Sequence, residues 1–299
     1  MNQANSPKIL QYSTLILLGF IWGSSFKLMD MGLVSDQGNK LYSDFELASL
    51  RIFFAGAVLY PFSIPLLKRI KGNDWLWLTC VGLFGNFVPA FLFASALIDI
   101  EPSISGILNS LTPIFALLLG MLVFGQRYKL IQISGLTLAM IGAIGLITIK
   151  GESGEVLLIP CLKVVLAAFC YAVSVNIIKS KLSHHKSVTI ASVSLGMMSI
   201  PSAILLTQSD VLHTFNHVEG AGQGMLAIVV LSAVGTAFAL IIFNYLVAKT
   251  TVIFASSVTY IVPIFAVLWG LHDKEHFTWM HAVYGLIVLI GVYLTNRKK

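Results

Sequence analysis

The chain is a succession of long apolar stretches, each close to the length of a membrane-crossing helix, separated by short segments that hold charges and turn residues. About 20 consecutive apolar residues wound as an α-helix span the ~30 Å hydrocarbon layer of a bilayer. Such runs occupy positions 13–33, 46–67, 75–97, 103–124, 131–149, 158–178, 188–207, 225–247, 252–271 and 279–295, ten in all. Most connections are short, so successive helices are expected to be antiparallel neighbours; the longest, around 208–224, is polar and Gly-rich. The runs are much longer than the ~10-residue alternating strands of a membrane barrel. The expected fold class is therefore an all-α membrane protein of ten transmembrane helices.

Composition agrees. Of 299 residues, 57% are hydrophobic and 11% charged, against roughly 25% charged in soluble domains. A formal charge of +6 in a soluble protein would point to nucleic acid, but here the basic residues sit in loops, where they set membrane orientation. Nucleic acid is thus not expected as a partner; the bilayer is. Cys80, Cys161 and Cys170 lie in or beside apolar segments without CxxC spacing, which argues for ordinary packing over disulfides or a metal centre. Lys8 and the apolar run from Thr14 to Trp22 resemble a signal peptide, but no A-x-A-like cleavage site follows, and the segment is expected to stay.

The loop charges alternate. One side collects Lys8, Lys68, Arg69, Lys71, Arg127, Lys129, Lys179, Lys181, Lys186, Lys249, Arg297, Lys298 and Lys299; the other has Lys40, Lys150, Lys163 and Lys274 with most of the acids. This bias predicts an even number of spans, both termini cytoplasmic and a multi-pass plasma-membrane location, the inner membrane in a bacterium.

The chain also repeats itself. A shift of 150 places Gly85 on Gly235, Phe93 on Phe243, Pro113-Ile114-Phe115-Ala116 on Pro263-Ile264-Phe265-Ala266, Gly120 on Gly270 and Gly135 on Gly285. A shift of 149 places the FIWGSSF run at Phe20 on the FCYAVSV run at Phe169. Two five-helix units are expected, 1–150 and 151–299, within one membrane domain. Five is odd, so the second unit enters the bilayer from the opposite face, an inverted repeat of the kind that supports alternating access around a midplane site.

With W-G-S-S-F (Trp22 to Phe26), L-R (Leu50-Arg51), T-P-I-F-A-L-L-L-G (Thr112 to Gly120) and Y-I-V-P-I-F-A-V-L-W-G (Tyr260 to Gly270), nearly the whole chain resembles two repeats of the EamA family, in the drug/metabolite transporter (DMT) superfamily. The resemblance implies ten helices around a central cavity, and transport, often export, of amino acids, related metabolites or drugs. Gln126 stands where the family often has Glu, whereas the second repeat keeps Glu275.

Charged residues inside a bilayer are costly and mark pathways or paired sites. Lys27 and Asp30 lie three apart on the first helix, and Arg51 lies about 7.5 Å along the second from Glu46. One reading gives Arg51 or Lys27 an anionic solute group, or gives the cluster a part in coupling. The other pairs the two cations with Asp30 and Glu46 as helix braces. Pro113 and Pro263 remove helical hydrogen bonds at equivalent positions and are expected to kink their helices. Around them, Trp22, Ser25, Asn86, Asn109, Tyr171, Asn176, Asn244, Tyr245, Ser257, Thr259 and Tyr260 are candidates to line a cavity, with helix-to-helix hydrogen bonding as the alternative role. Trp75, Trp77 and Trp279, at span ends, read as interfacial anchors.

The leading functional expectation is a secondary transporter of a small solute, without cofactor or bound metal and not an enzyme. His272-Asp273-Lys274-Glu275-His276 matches the zinc-peptidase pattern H-x-x-E-H, so a metal-dependent membrane enzyme is the alternative, although a short loop is the wrong setting for that motif. His213 and His217 are possible further ligands. A non-transporting membrane protein is a third reading. No P-loop pattern occurs, which speaks against ATP-driven transport. The solute, the flux direction, the coupling ion and the oligomeric state have no signature in the sequence.

Overall fold

Hydrocarbon offers no partner for a backbone N–H or C=O, so an apolar run that crosses it must close its own hydrogen bonds, and a helix does so within one segment. A computed structural model describes residues 8–35, 37–68, 70–124, 130–149, 157–250, 255, 258–275 and 277–296. Among the described residues, every extended element is helical, and strand pairing is limited to one isolated bridge, Val34 with Lys40.

In chain order the elements are α1 (Lys8–Leu33), α2 (Asp44–Leu67), α3 (Asp74–Gly82), a π-helical turn (Leu83–Phe87), α4 (Val88–Ala96), α5 (Pro102–Asn109), α6 (Thr112–Phe124) and α7 (Leu130–Ile147). There follow α8 (Leu158–Lys181), α9 (Ser187–Leu206), the short α10 (Val211–His217), α11 (Ala221–Val230), a second π-helical turn (Leu231–Phe238), α12 (Ala239–Lys249), α13 (Val258–His272) and α14 (Trp279–Asn296). Eight continuous helical rods among the described residues are long and apolar enough to cross a membrane. The ninth and tenth expected spans correspond to Val258–His272 and Trp279–Leu294, which are apolar but shorter. Residues 251–254, 256 and 257, ahead of the ninth, lie outside the described residues, as does Gln126. The long polar connection is partly helical through α10, and Gly220 turns the chain into α11 at φ 86°, a conformation that glycine adopts without steric cost.

Local chemistry fixes the ends. Ser43 caps α2 through a capping box in which its hydroxyl accepts from the Glu46 N–H while the Glu46 carboxylate accepts from the Ser43 N–H. Serines inside spans satisfy themselves: Ser192, Ser202 and Ser232 each donate to the carbonyl four residues earlier. Large apolar side chains such as Leu122, Leu130, Ile159 and Trp279 point outward, as they should where lipid replaces water. The three cysteines are free thiols, Cys161 and Cys170 buried and Cys80 partly so.

Helices made equivalent by the sequence repeat pack on one another, α2 against α9 and α7 against α14. The contact of α1 with α13 has its counterpart in that of α8 with α6. Small residues permit the approach: a Cβ on Gly291 of α14 would lie 2.3 Å from the Ala139 backbone nitrogen of α7.

A candidate solute site inside the helix bundle

The π-helical turns occupy matching places in the two repeats, Gly85 and Gly235 being equivalent under the shift of 150. A π-turn carries one more residue than the α-turn it interrupts, which opens the hydrogen-bond ladder, and such turns occur often at functional sites. Here the Gly235 carbonyl accepts a hydrogen bond from Trp22 Nε1 at 3.1 Å. Ser25 and Ser174, equivalents themselves, press on the two glycines, with hydroxyls 2.7 Å and 2.4 Å from where a Cβ would stand on Gly235 and Gly85. The rings follow the same symmetry. Trp22 packs on Phe243 at 5.1 Å, and its equivalent Tyr171 stacks on Phe93 at 5.9 Å.

These groups surround a cavity of about 1160 Å³, opening included, lined from both halves of the chain. Of the residues expected to line a cavity, Trp22, Ser25, Asn86, Asn109, Tyr171, Asn244 and Thr259 do. Three others are placed elsewhere. Asn176 donates to the carbonyls of Ala172 and Ala116, Tyr260 donates to the Val292 carbonyl at 2.7 Å, and Tyr245 is exposed on the outer face. Ser257 lies outside the described residues. Near Pro113 the span is interrupted at Ser110 and Leu111, between α5 and α6, whereas Pro263 lies within α13. Thr112 Oγ1 donates to the Asn109 carbonyl across the break.

Arg51 separates from the acid expected to pair with it. Glu46 is engaged in the capping box, whereas Arg51 projects into the cavity, 8% exposed. Its Nε donates to Thr236 Oγ1 at 3.0 Å, in the second π-turn, and its Nη1 to the Met29 sulfur at 3.4 Å. Tyr171 is a further hydrogen-bonding neighbour. The Thr236 hydroxyl in turn donates a hydrogen bond to the Leu231 carbonyl.

Lys27 follows the bracing role with an additional partner. Its ammonium lies 2.8 Å from Asp273 and 3.5 Å from Asp30. Partial desolvation opposes ionisation of Asp273, but the hydrogen bonds and charges of Lys27 and His272 outweigh it and hold the carboxyl below the usual carboxylate range. Two residues on, Glu275 turns inward and accepts hydrogen bonds from the Ser103 N–H and hydroxyl at the first turn of α5. Burial pushes its carboxyl up to about 7, with Ser103 offsetting part of the shift and Glu101 and Asp30 adding to it. Sequence reading noticed Glu275 as the glutamate kept by the second repeat and as part of a loop motif, but not as a group turned inward. Of that motif, His272 faces Asp273 and Glu275 faces Ser103, and His276 lies outside the described residues. His213 and His217 stack on each other in α10.

At the other end of the bundle, Asp74 at the start of α3 meets His184 and His185, in the α8–α9 connection, at 3.0 and 2.8 Å. Lys181 lies over the Trp77 ring nearby. Each end is thus bridged between an early and a late part of the chain.

The model of the EamA-like transporter family matches residues 10–148 and again 158–297. Two uncharacterized transporters of Archaeoglobus fulgidus are 24% and 27% identical, covering 97% and 95% of this chain and 99% and 96% of their own lengths. A WAT1-related chloroplastic protein of Arabidopsis thaliana, At3g02690, is 23% identical over 96% of this chain and 69% of its own. A crystal structure at 18% identity superposes with a TM-score of 0.62 over 95% of this chain and 94% of that one, which shows a shared fold.

Proposed function

Because this chain belongs to the EamA-like transporter family, we propose that it is a secondary carrier that moves a small metabolite, outward, by alternating access through the cavity between its two repeats. Ten spans in two inverted units, 1–150 and 151–299, with both ends of the chain in the cytoplasm, are part of the same reading. The observation that supports it most is the paired construction of the cavity. Equivalent π-turns, equivalent serine–glycine contacts and equivalent ring pairs face a shared space. An inverted repeat can exchange the environments of its two units while the site between them stays in place. The two Archaeoglobus relatives are transporters by name, which favours the carrier reading over a metal-dependent enzyme built on the His272–His276 loop.

The test is flux. Purified protein in liposomes is expected to move labelled small metabolites from a mixed pool down an imposed gradient. Asn109→Leu, which places a bulky apolar group at the cavity wall, should abolish that flux at unchanged abundance. Folded protein that moves nothing from the pool, or Asn109→Leu protein that lowers abundance and leaves flux per molecule intact, argues against the carrier reading.

A further inference from the structure

The cavity holds a charge that its surroundings do not neutralise. Arg51 is the one charged side chain on its described wall. Among the described residues no carboxylate oxygen lies within 4.0 Å of the guanidinium. Its partners are a threonine hydroxyl, a thioether and a phenol, which solvate a cation without cancelling its charge. A guanidinium carries five N–H donors in a planar fork suited to a carboxylate, and a thioether is a weak acceptor. Removing a charge from water without an opposite charge is costly, so the cavity favours an anion.

A second atom has the complementary need. Asn244 Oδ1 is buried on the same wall and has no hydrogen-bond partner among the described residues. An unsatisfied buried acceptor favours an occupant that brings an N–H or O–H. The rest of the wall is largely apolar, with rings from both repeats.

We infer that the cavity recognises a compact organic monoanion: a carboxylate seated on Arg51, an apolar body among Trp22, Phe93, Tyr171 and Phe243, and a neutral donor group turned to Asn244. This rests on the carrier reading only in calling the occupant a solute. Charge sorts the competing classes. A monocarboxylate brings the net charge of the filled cavity to zero. A zwitterion leaves it at one positive charge, and an amine raises it to two, with no acid on the described wall to receive the ammonium.

Four probes with one phenylpropyl body isolate the head group: 3-phenylpropionate, its amide, phenylalanine and 3-phenylpropylamine. Binding to the detergent-purified protein is read by tryptophan fluorescence, Trp22 lying on the wall. The carboxylate is expected to bind about 10- to 100-fold more tightly than the amide, the span of a charge-assisted hydrogen bond. Phenylalanine should follow the carboxylate, and the amine should be weakest. Arg51→Gln should reduce the carboxylate to the level of the amide, and Arg51→Lys should fall between. Thr236→Val removes the hydroxyl brace while keeping the charge, and should preserve the order of the probes. Where Arg51→Gln does not fold, the wild-type order and the Arg51→Lys and Thr236→Val variants decide. Amide or amine binding as tightly as the carboxylate, no probe binding, or Arg51→Gln retaining the preference would overturn the inference. Carboxylate preference without flux in liposomes upholds the monoanion site and overturns the carrier reading. Flux of other solutes without head-group preference does the reverse.

Discussion

Gly235→Ala tests how closely the second π-turn is held against α1. A Cβ at position 235 would stand 2.7 Å from Ser25 Oγ, 3.2 Å from the Leu231 Cδ1 methyl and 3.8 Å from Ser25 Cβ. The methyl can swing aside, but the hydroxyl is held by its bond to the Ile21 carbonyl at 2.8 Å. Either the hydroxyl rotates and gives up that bond, costing about 0.5–1.5 kcal/mol, or the helices shift at an overpacking cost of about 1–3 kcal/mol. Against this stands a gain of up to ~1 kcal/mol from replacing glycine by alanine in a helix. The single variant should therefore lose about 0–2 kcal/mol. Ser25→Ala removes the obstructing atom and leaves a 3.8 Å contact, so the double variant should match or exceed the wild type. The coupling energy is expected to be about 1–2 kcal/mol. The matching pair differs in a checkable way. After Ser174→Ala, a Cβ on Gly85 still meets the residue-174 Cβ at 3.1 Å, so rescue of Gly85→Ala should be partial. Reversible unfolding in mixed micelles, followed by circular dichroism, measures all four corners of each cycle. Effects of Gly235→Ala and Ser25→Ala that add within about 0.5 kcal/mol would refute the argument.

Glu275 should make stability depend on pH in an unusual direction. Its folded-state value of about 7 lies above the ordinary carboxyl value of 4.5, so its stabilising contribution is complete below 4.5 and is lost as pH rises through about 7. Glu275→Gln should flatten that slope in melting curves taken between these limits; an unchanged slope would assign it to other groups. Lys27→Met should destabilise the protein by roughly 1–3 kcal/mol, since it leaves Asp273 and Asp30 without their shared cation. Adding Asp273→Asn should return part of the loss, and the same unfolding assay decides.

Eight of the expected spans were legible because hydrocarbon admits so few backbone solutions: predicted ends at 67, 124 and 158 coincide with those of α2, α6 and α8. Which way a polar side chain points was harder to read. Asn109 and Asn244 line the cavity, yet Asn176 turns to backbone carbonyls and Tyr245 to the outside, because composition places a residue on a helix without fixing its face. The π-turns were invisible, being set by what packs around Gly85 and Gly235. Arg51 is instructive for another reason. Its separation from Glu46 follows from Ser43-Asp44-Phe45-Glu46, a capping-box pattern that commits the glutamate to the helix end and was there to be read.

The extra residue in each π-turn has a consequence for what the helix can show its neighbours. One residue of an α-helix subtends about 100°, so moving the turn by a single position rotates the residues it passes by about that angle and leaves both ends of the helix where they were. In the eighth span the turn lies a little more than one helical turn ahead of Phe243 and Asn244, and in the third it lies similarly ahead of Phe93. A shift of either turn by one position would therefore change which side of its helix faces the cavity at Gly85 and Asn86, or at Gly235 and Thr236, without changing the helix length.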